Sequence, residues 1–258
     1  MKAEFQKQAL VVIPTYNEVE NITEMVKCIC SLTTSHAIDI LVVDSNSPDG
    51  TGDRLEQMKK IIPRLHVLHQ PRKMGLGCAY LEAFRYVQQR LPHRYDLVIT
   101  MDADFSHHPR YIQTMFNKVL QCDLVVGSRY IEGGKLCNWP TSRKWLSRFA
   151  NSYAKNLTGI PLNDLTSGFH CFRLPVLMQV LQHEISAEGY AFLIELKYCA
   201  VLEGFKILEI PIEFADRTKG SSKISKRVIL ESAIVVLKIF FQRLYSSNRR
   251  HGYLPSRE

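Results

Sequence analysis

The run Leu97-Val98-Ile99-Thr100-Met101 ends in Asp102-Ala103-Asp104 and continues as Phe105-Ser106-His107-His108-Pro109. A short apolar run bounded by turn residues predicts a buried strand. Side chains two residues apart on an extended backbone lean the same way, so both carboxylates leave the strand end on one side. In open α/β sheets, ligands bind just beyond the carboxyl ends of the strands. Two carboxylates there suit a hard, oxygen-ligated cation such as Mg²⁺ or Mn²⁺, which commonly also holds a substrate diphosphate. Aspartate also favours turns, so the triplet alone reads first as a solvated strand end. The surrounding segments give it chemical meaning.

Working outward, apolar runs and amphipathic stretches alternate. Strands are expected over 9–13, 38–43, 65–69, 97–101 and 124–127, with helices over 19–32, 51–62, 77–90 and 109–120. Asn17 and Glu20 have capping-box spacing at the first helix. This rhythm predicts an α/β fold, a Rossmann-like, mainly parallel sheet with helices on both faces. The second half is less regular, with helices over 144–157, 191–202 and 225–244 and a strand over 206–214. The expected organisation is a catalytic domain over 1–224, followed over 225–258 by an amphipathic helix and a basic, membrane-proximal tail.

The chain has 258 residues, 46% hydrophobic and 22% charged, and a net charge of +8. Such a composition is globular, and the charge favours anionic partners such as phosphorylated substrates or an acidic membrane surface. No helix-turn-helix, zinc finger or RNP-type aromatic motif is present, so nucleic acid is not an expected partner. The seven cysteines form no CxxC pair and read as buried free thiols. The N-terminus does not read as a signal peptide, and no apolar run is long enough to span a bilayer.

Two further segments follow strands: Pro14-Thr15-Tyr16-Asn17-Glu18, and Asp44-Ser45-Asn46-Ser47-Pro48-Asp49-Gly50-Thr51. They lie at neighbouring strand ends, where α/β sheets take nucleotides. GxGxxG and GxxxxGK[ST] are both absent, which argues against a dinucleotide enzyme and a P-loop NTPase. Gly75-Leu76-Gly77-Cys78-Ala79-Tyr80, Val126-Gly127-Ser128-Arg129-Tyr130, Asp164-Leu165-Thr166-Ser167-Gly168-Phe169 and Asp216-Arg217-Thr218-Lys219-Gly220-Ser221-Ser222-Lys223 complete an ordered set.

Taken in that order, over roughly residues 9 to 245, the set resembles the family 2 glycosyltransferases of GT-A fold. Within them it is most similar to the dolichyl-phosphate (polyprenyl-phosphate) mannosyltransferases. The resemblance implies that Pro14, Tyr16, Glu18, Val42, Asp44, Asp102 and Ala103 hold the nucleotide. It implies a divalent metal on Asp102 and Asp104, helped by Ser106. Arg129, Arg217 and Lys223 would act on the phosphates, with Arg129, Arg143 and Ser147 near the lipid phosphate. The family usually carries a second acid after Asp44, where this chain has Ser45-Asn46-Ser47.

The implied reaction is inverting transfer of mannose from GDP-mannose to a polyprenyl phosphate, with Mg²⁺ or Mn²⁺ as cofactor. UDP-glucose or another sugar nucleotide is the alternative donor. A nonenzymatic nucleotide- or lipid-binding module is the alternative of another class. His107 and His108 read as structural or phosphate-contacting, because hard cations prefer oxygen. Glu195 is expected to face the sugar or to form a helix-surface ion pair. The 225–244 helix, interrupted by Glu231 and Lys238, is expected to lie in a membrane interface or pack on the sheet. Trp139 and Trp145 add a second contact surface. The resulting expectation is a peripheral enzyme on the cytoplasmic face of a membrane, with recruitment by a small membrane anchor subunit as a further route.

Overall fold

The structure, a computed structural model, describes residues 7–91, 93–215 and 226–251. Seven strands form one sheet in the order β3-β2-β1-β4-β7-β5-β8. These are β1 (Gln8–Thr15), β2 (Ala37–Asp44), β3 (Leu65–His69), β4 (Leu97–Thr100), β5 (Leu124–Ser128), β7 (His170–Arg173) and β8 (Ile207–Pro211). All neighbouring pairs are parallel except those made by β7, which runs antiparallel between β4 and β5. A second sheet pairs β6 (Lys135–Cys137) with β9 (Glu213–Ala215).

The central strands are apolar throughout because both faces are covered. On β1, Leu10 and Val12 face one core while Ala9, Val11 and Ile13 face the other. α1 (Val19–Cys30), α2 (Thr51–Lys59) and α4 (Ile112–Val119) cover the second face. The first face is covered by α3 (Leu76–Arg90), α6 (Leu174–Val180) and α7 (Phe192–Leu202), with part of α5 (Thr141–Thr158) and α8 (Lys226–His251). All seven cysteines are free, but only Cys122, Cys171 and Cys199 are buried. Cys28, Cys78 and Cys137 are partly exposed and Cys30 is exposed, because their positions lie away from the two core layers.

Three local expectations change. The capping box at α1 does not form: Asn17 takes a left-handed φ of 56° and Glu18 is the N-cap. The neighbouring loop does the capping. Asn17 N donates to Ser47 Oγ, Glu18 N to Thr51 Oγ1 and Val19 N to Asp49 Oδ2. The strand expected over 206–214 breaks after Pro211, and Ile212 N turns to Ser128 O at 3.0 Å. β7 and α6 were not expected: His170–Arg173 is only four residues long, and Leu174-Pro175 starts a helix where proline suits the first turn.

Candidate active site

Asp102, Ala103 and Asp104 leave β4 in a turn whose tightest point is Phe105, at φ 61°. That conformation is uncommon for a residue with a Cβ, and local hydrogen bonds hold it. Ser106 N and Oγ donate to Asp104 Oδ1 at 3.1 and 2.5 Å. Asp102 N donates to His107 Nδ1 at 3.0 Å. His107 is buried and stacks on Phe169 with centroids 5.2 Å apart. Burial pushes its pKa below the ordinary value, against the pull of Asp102 and Asp104. A neutral ring whose Nδ1 accepts a backbone N–H is a brace for the turn, as the structural reading of His107 expected.

Two cavities open on this turn. The smaller, about 160 Å³, is lined by Pro14, Tyr16 and Glu18 from the end of β1, and by Asp102, Ala103 and Asp104. Lys73 also lines it, its Nζ over the Tyr16 ring at 4.1 Å from the centroid. Val42 and Asp44 do not line this cavity. Val42 is buried within the sheet. The Asp44 carboxylate accepts from Thr15 Oγ1, Ser47 N and Ser47 Oγ, so it orders the loop behind the wall. Lys73 and Tyr190 line this cavity without having been given a site role in the sequence. The signal for Lys73 was its place just before Gly75-Leu76-Gly77.

The larger cavity is about 540 Å³ and mainly apolar, with Leu76, Leu146, Phe149, Tyr153, Leu193 and Val236 among its walls. Arg129, Arg143 and Ser147 line it as well, as do Asp102, Asp104 and Ser106. Tyr130 Oη donates to Ser147 Oγ at 2.6 Å. Arg143 lies over the Trp139 ring at 3.8 Å. Leu76, Asp102, Asp104 and Tyr190 belong to both cavities, so the carboxylate pair sits where the two spaces meet.

Residues 10–181 match Glycosyl transferase family 2, which is more than half of the chain. The chain belongs to this family. It is a glycosyltransferase. It is 37% identical over 231 residues to an undecaprenyl-phosphate mannosyltransferase of Micrococcus luteus, covering 90% of this chain and 93% of that protein. It is 39% identical over 235 residues to a polyprenol monophosphomannose synthase of Mycolicibacterium smegmatis, covering 89% and 86%. Among solved structures, glucosyl-3-phosphoglycerate synthase of Mycobacterium tuberculosis, with Mn²⁺ and UDP bound, aligns with a TM-score of 0.63 at 18% identity, over 90% of this chain and 80% of that one. Mannosyl-3-phosphoglycerate synthase of Rubrobacter xylanophilus aligns at 0.61 and 18%, over 98% and 77%. These likenesses establish a GT-A-like fold for the sheet.

In this family 2 glycosyltransferase, Thr166, Ser167 and Gly168 line the larger cavity, and buried side chains hold the segment that carries them. Arg129 Nε and Nη2 donate to the two Asp164 oxygens at 2.7 and 2.6 Å, and Nη2 also reaches Thr166 Oγ1. Burial alone would raise the Asp164 carboxyl, but the Arg129 charge and hydrogen bonds hold it below its ordinary pKa. Most of the Arg129 guanidinium is therefore committed to Asp164, which limits what it can offer a phosphate. Asn151 Oδ1 accepts from Leu165 N and Thr166 N.

Lys197 was not anticipated. It is fully buried, and Nζ donates to the carbonyls of Leu165, Ser167 and Leu193 at 3.0, 2.8 and 3.2 Å. Burial lowers its pKa from 10.5 to about 7, against the opposing pull of Asp164. Between those values the unfolded chain holds a proton that the folded one has released, so this group makes stability rise with pH. Below about 7 both states are protonated and the dependence ends. Urea-unfolding midpoints of the wild type should therefore climb from pH 7 to 10 relative to those of Lys197→Met. Parallel curves would contradict the assignment.

Glu195 neither faces a cavity nor forms a surface ion pair. Its buried carboxylate accepts from Ser186 N, Ser186 Oγ and Ala187 N. Trp145 is 68% exposed, whereas Trp139 is half-buried against Phe214. Arg217 and Lys223 lie outside the described residues. Among the described residues, no group of three or more His, Cys, Asp or Glu side chains could hold a metal ion. Asp102 and Asp104 offer an all-oxygen pair whose further ligands would be substrate phosphate and water, which fits Mg²⁺ or Mn²⁺.

Proposed function

We propose that this enzyme transfers a mannosyl residue from GDP-mannose to a polyprenyl (dolichyl) monophosphate, with inversion and with Mg²⁺ or Mn²⁺. The observation that carries the reading is the meeting of a small cavity walled by Pro14, Tyr16, Glu18 and Lys73 with a large apolar one at Asp102 and Asp104. The names of the two mannosyltransferase relatives agree with it.

In this reading the nucleoside occupies the smaller cavity against Pro14, Tyr16, Glu18, Ala103 and Lys73, with Val42 and Asp44 supporting its wall. Asp102 and Asp104, with Ser106 bracing the pair, hold the cation, which offsets diphosphate charge as the leaving group departs. Arg217 and Lys223 act on the donor phosphates. Arg143 and Ser147, with Arg129, receive the acceptor phosphate, and the apolar walls take the first part of the lipid tail. A phosphate monoester has a second pKa of about 6 and is already anionic at neutral pH. It therefore needs no general base, and attack on the sugar C1 opposite the diphosphate inverts that centre. The experiment is a donor panel: GDP-mannose, UDP-glucose and other sugar nucleotides, each with a short polyprenyl phosphate. GDP-mannose should give lipid-linked sugar, and preference for a uridine donor would overturn the donor assignment.

The enzyme is proposed to work peripherally on the cytoplasmic face of a membrane. Among the described residues, no helix is long and apolar enough to cross one. On α8, Leu230, Ile234, Leu237, Phe241 and Leu244 are exposed at helical spacing, beside exposed Trp145, Leu146 and Phe149 on α5. Leu146 and Phe149 also line the larger cavity, so the apolar surface continues inward to the site. Ile239 faces the core, so charging it tests folding rather than lipid contact. Phe241→Glu should leave the fold intact and weaken binding to anionic liposomes about tenfold, the scale of burying a large apolar side chain. Equal binding by both proteins would remove the lipid role of this face and leave recruitment to a small membrane anchor subunit.

A further inference from the structure

Glu231 and Lys238 interrupt an otherwise apolar stretch of α8, and both turn inward to one loop. Glu231 Oε1 accepts from Glu188 N at 3.2 Å and Gly189 N at 3.0 Å. Two turns on, Lys238 Nζ donates to Ser186 Oγ at 3.0 Å. This loop joins α6 to α7, and its far side presses on the start of α3. Gly77 N donates to Glu188 O at 2.7 Å. A Cβ at Gly75 or Gly77 would stand 2.5 or 2.6 Å from the carbonyl oxygens of Glu188 and Ala187. A Cβ at Gly189 would meet Glu231 Oε2 at 2.7 Å. The loop thus has little room to shift independently of α3 or α8.

The same loop walls both cavities. Gly189 lines the smaller one, and Tyr190 lines both. On the adjacent face of α8, Ser232, Ala233 and Val236 line the larger cavity. One carboxylate therefore connects the helix bordering the larger cavity to the wall of the smaller one.

We propose that Glu231 is a positioning residue that couples the two sites, so that an acceptor lying against α8 tightens nucleotide binding in the smaller cavity. This rests on the donor and acceptor reading above. The coupling acts by seating: α8 held against its ligand fixes Glu231, Glu231 fixes the Glu188 and Gly189 amides, and Tyr190 keeps the shape of the partition. By linkage, the nucleotide must tighten acceptor binding by the same factor.

GDP with polyprenyl phosphate is a non-reacting pair, so the coupling can be read at equilibrium. GDP affinity is measured with Mg²⁺, with and without detergent-dispersed polyprenyl phosphate, on wild type, Glu231→Ala and Glu231→Gln. In the wild type the lipid should tighten GDP binding about fivefold or more, the lower end of ordinary coupling. Glu231→Ala should still bind each ligand alone but lose the coupling. Glu231→Gln keeps a carbonyl acceptor for the two amides and should restore most of it. Equal coupling in wild type and Glu231→Ala, or none in a wild type that binds both ligands, would overturn the proposal. Failure of the wild type to bind GDP or lipid at all would instead overturn the underlying donor and acceptor reading.

Discussion

Asp102→Asn and Asp104→Asn should each lower kcat by about 100-fold or more, the loss that follows removal of one preorganised electrostatic contact. Each substitution keeps the side-chain size and removes a charge at the junction of the two cavities. Asp104 is the more constrained, because its Oδ1 also accepts from Ser106 N and Oγ. An amide oxygen can still accept there, so the turn should survive and circular dichroism should not change. A loss confined to kcat, with an intact fold, is the expected signature of a group acting on developing charge. Chelation with EDTA should abolish the wild-type rate, and added Mg²⁺ or Mn²⁺ should restore it. Full activity in metal-free buffer would remove the cation from the account.

Asp164→Ala should act chiefly on stability, and on acceptor binding only through the Arg129 it holds. Its carboxylate is fully buried and makes two short hydrogen bonds to Arg129 Nε and Nη2, with a third from Arg129 N at 3.0 Å. Removing it leaves a buried guanidinium without its counter-charge, a change that typically costs about 3–5 kcal/mol. For a chain of this size that corresponds to a fall of about 10 °C in Tm. Arg129→Met with Asp164→Leu removes both charges and should be far milder than either single change. A double variant as unstable as the single would show that the loop, rather than the ion pair, depends on these positions.

The Asp102-Ala103-Asp104 turn was legible in the sequence because a buried strand ending in two spaced carboxylates has few bland explanations once neighbouring strand ends carry their own polar turns. The parallel core was legible too, since β1, β2, β4 and β5 are apolar on both faces. β7 was hidden because His170-Cys171-Phe172-Arg173 is short and mixed, and its place between β4 and β5 depends on tertiary pairing. The N-cap of α1 was misread because the hydrogen bonds come from Ser47, Asp49 and Thr51, about thirty residues away. Glu195 and Lys197 were hidden for a related reason. Charged residues on a helix ordinarily face water, and only the assembled fold supplies the backbone groups that satisfy them. Glu231 and Lys238 looked like breaks in an apolar face, whereas each meets a loop distant in sequence.

The central claim concerns the acceptor. The larger cavity and its exposed apolar border favour a lipid phosphate, whereas the structurally similar synthases carry 3-phosphoglycerate in their names. The most direct measurement supplies GDP-mannose labelled in the sugar, with polyprenyl phosphate and 3-phosphoglycerate together in one Mg²⁺-containing incubation. The label is then partitioned between organic and aqueous phases. The account predicts that transferred mannose appears in the organic phase as a phosphate-linked lipid. Transfer to 3-phosphoglycerate, with none to the lipid, would contradict it.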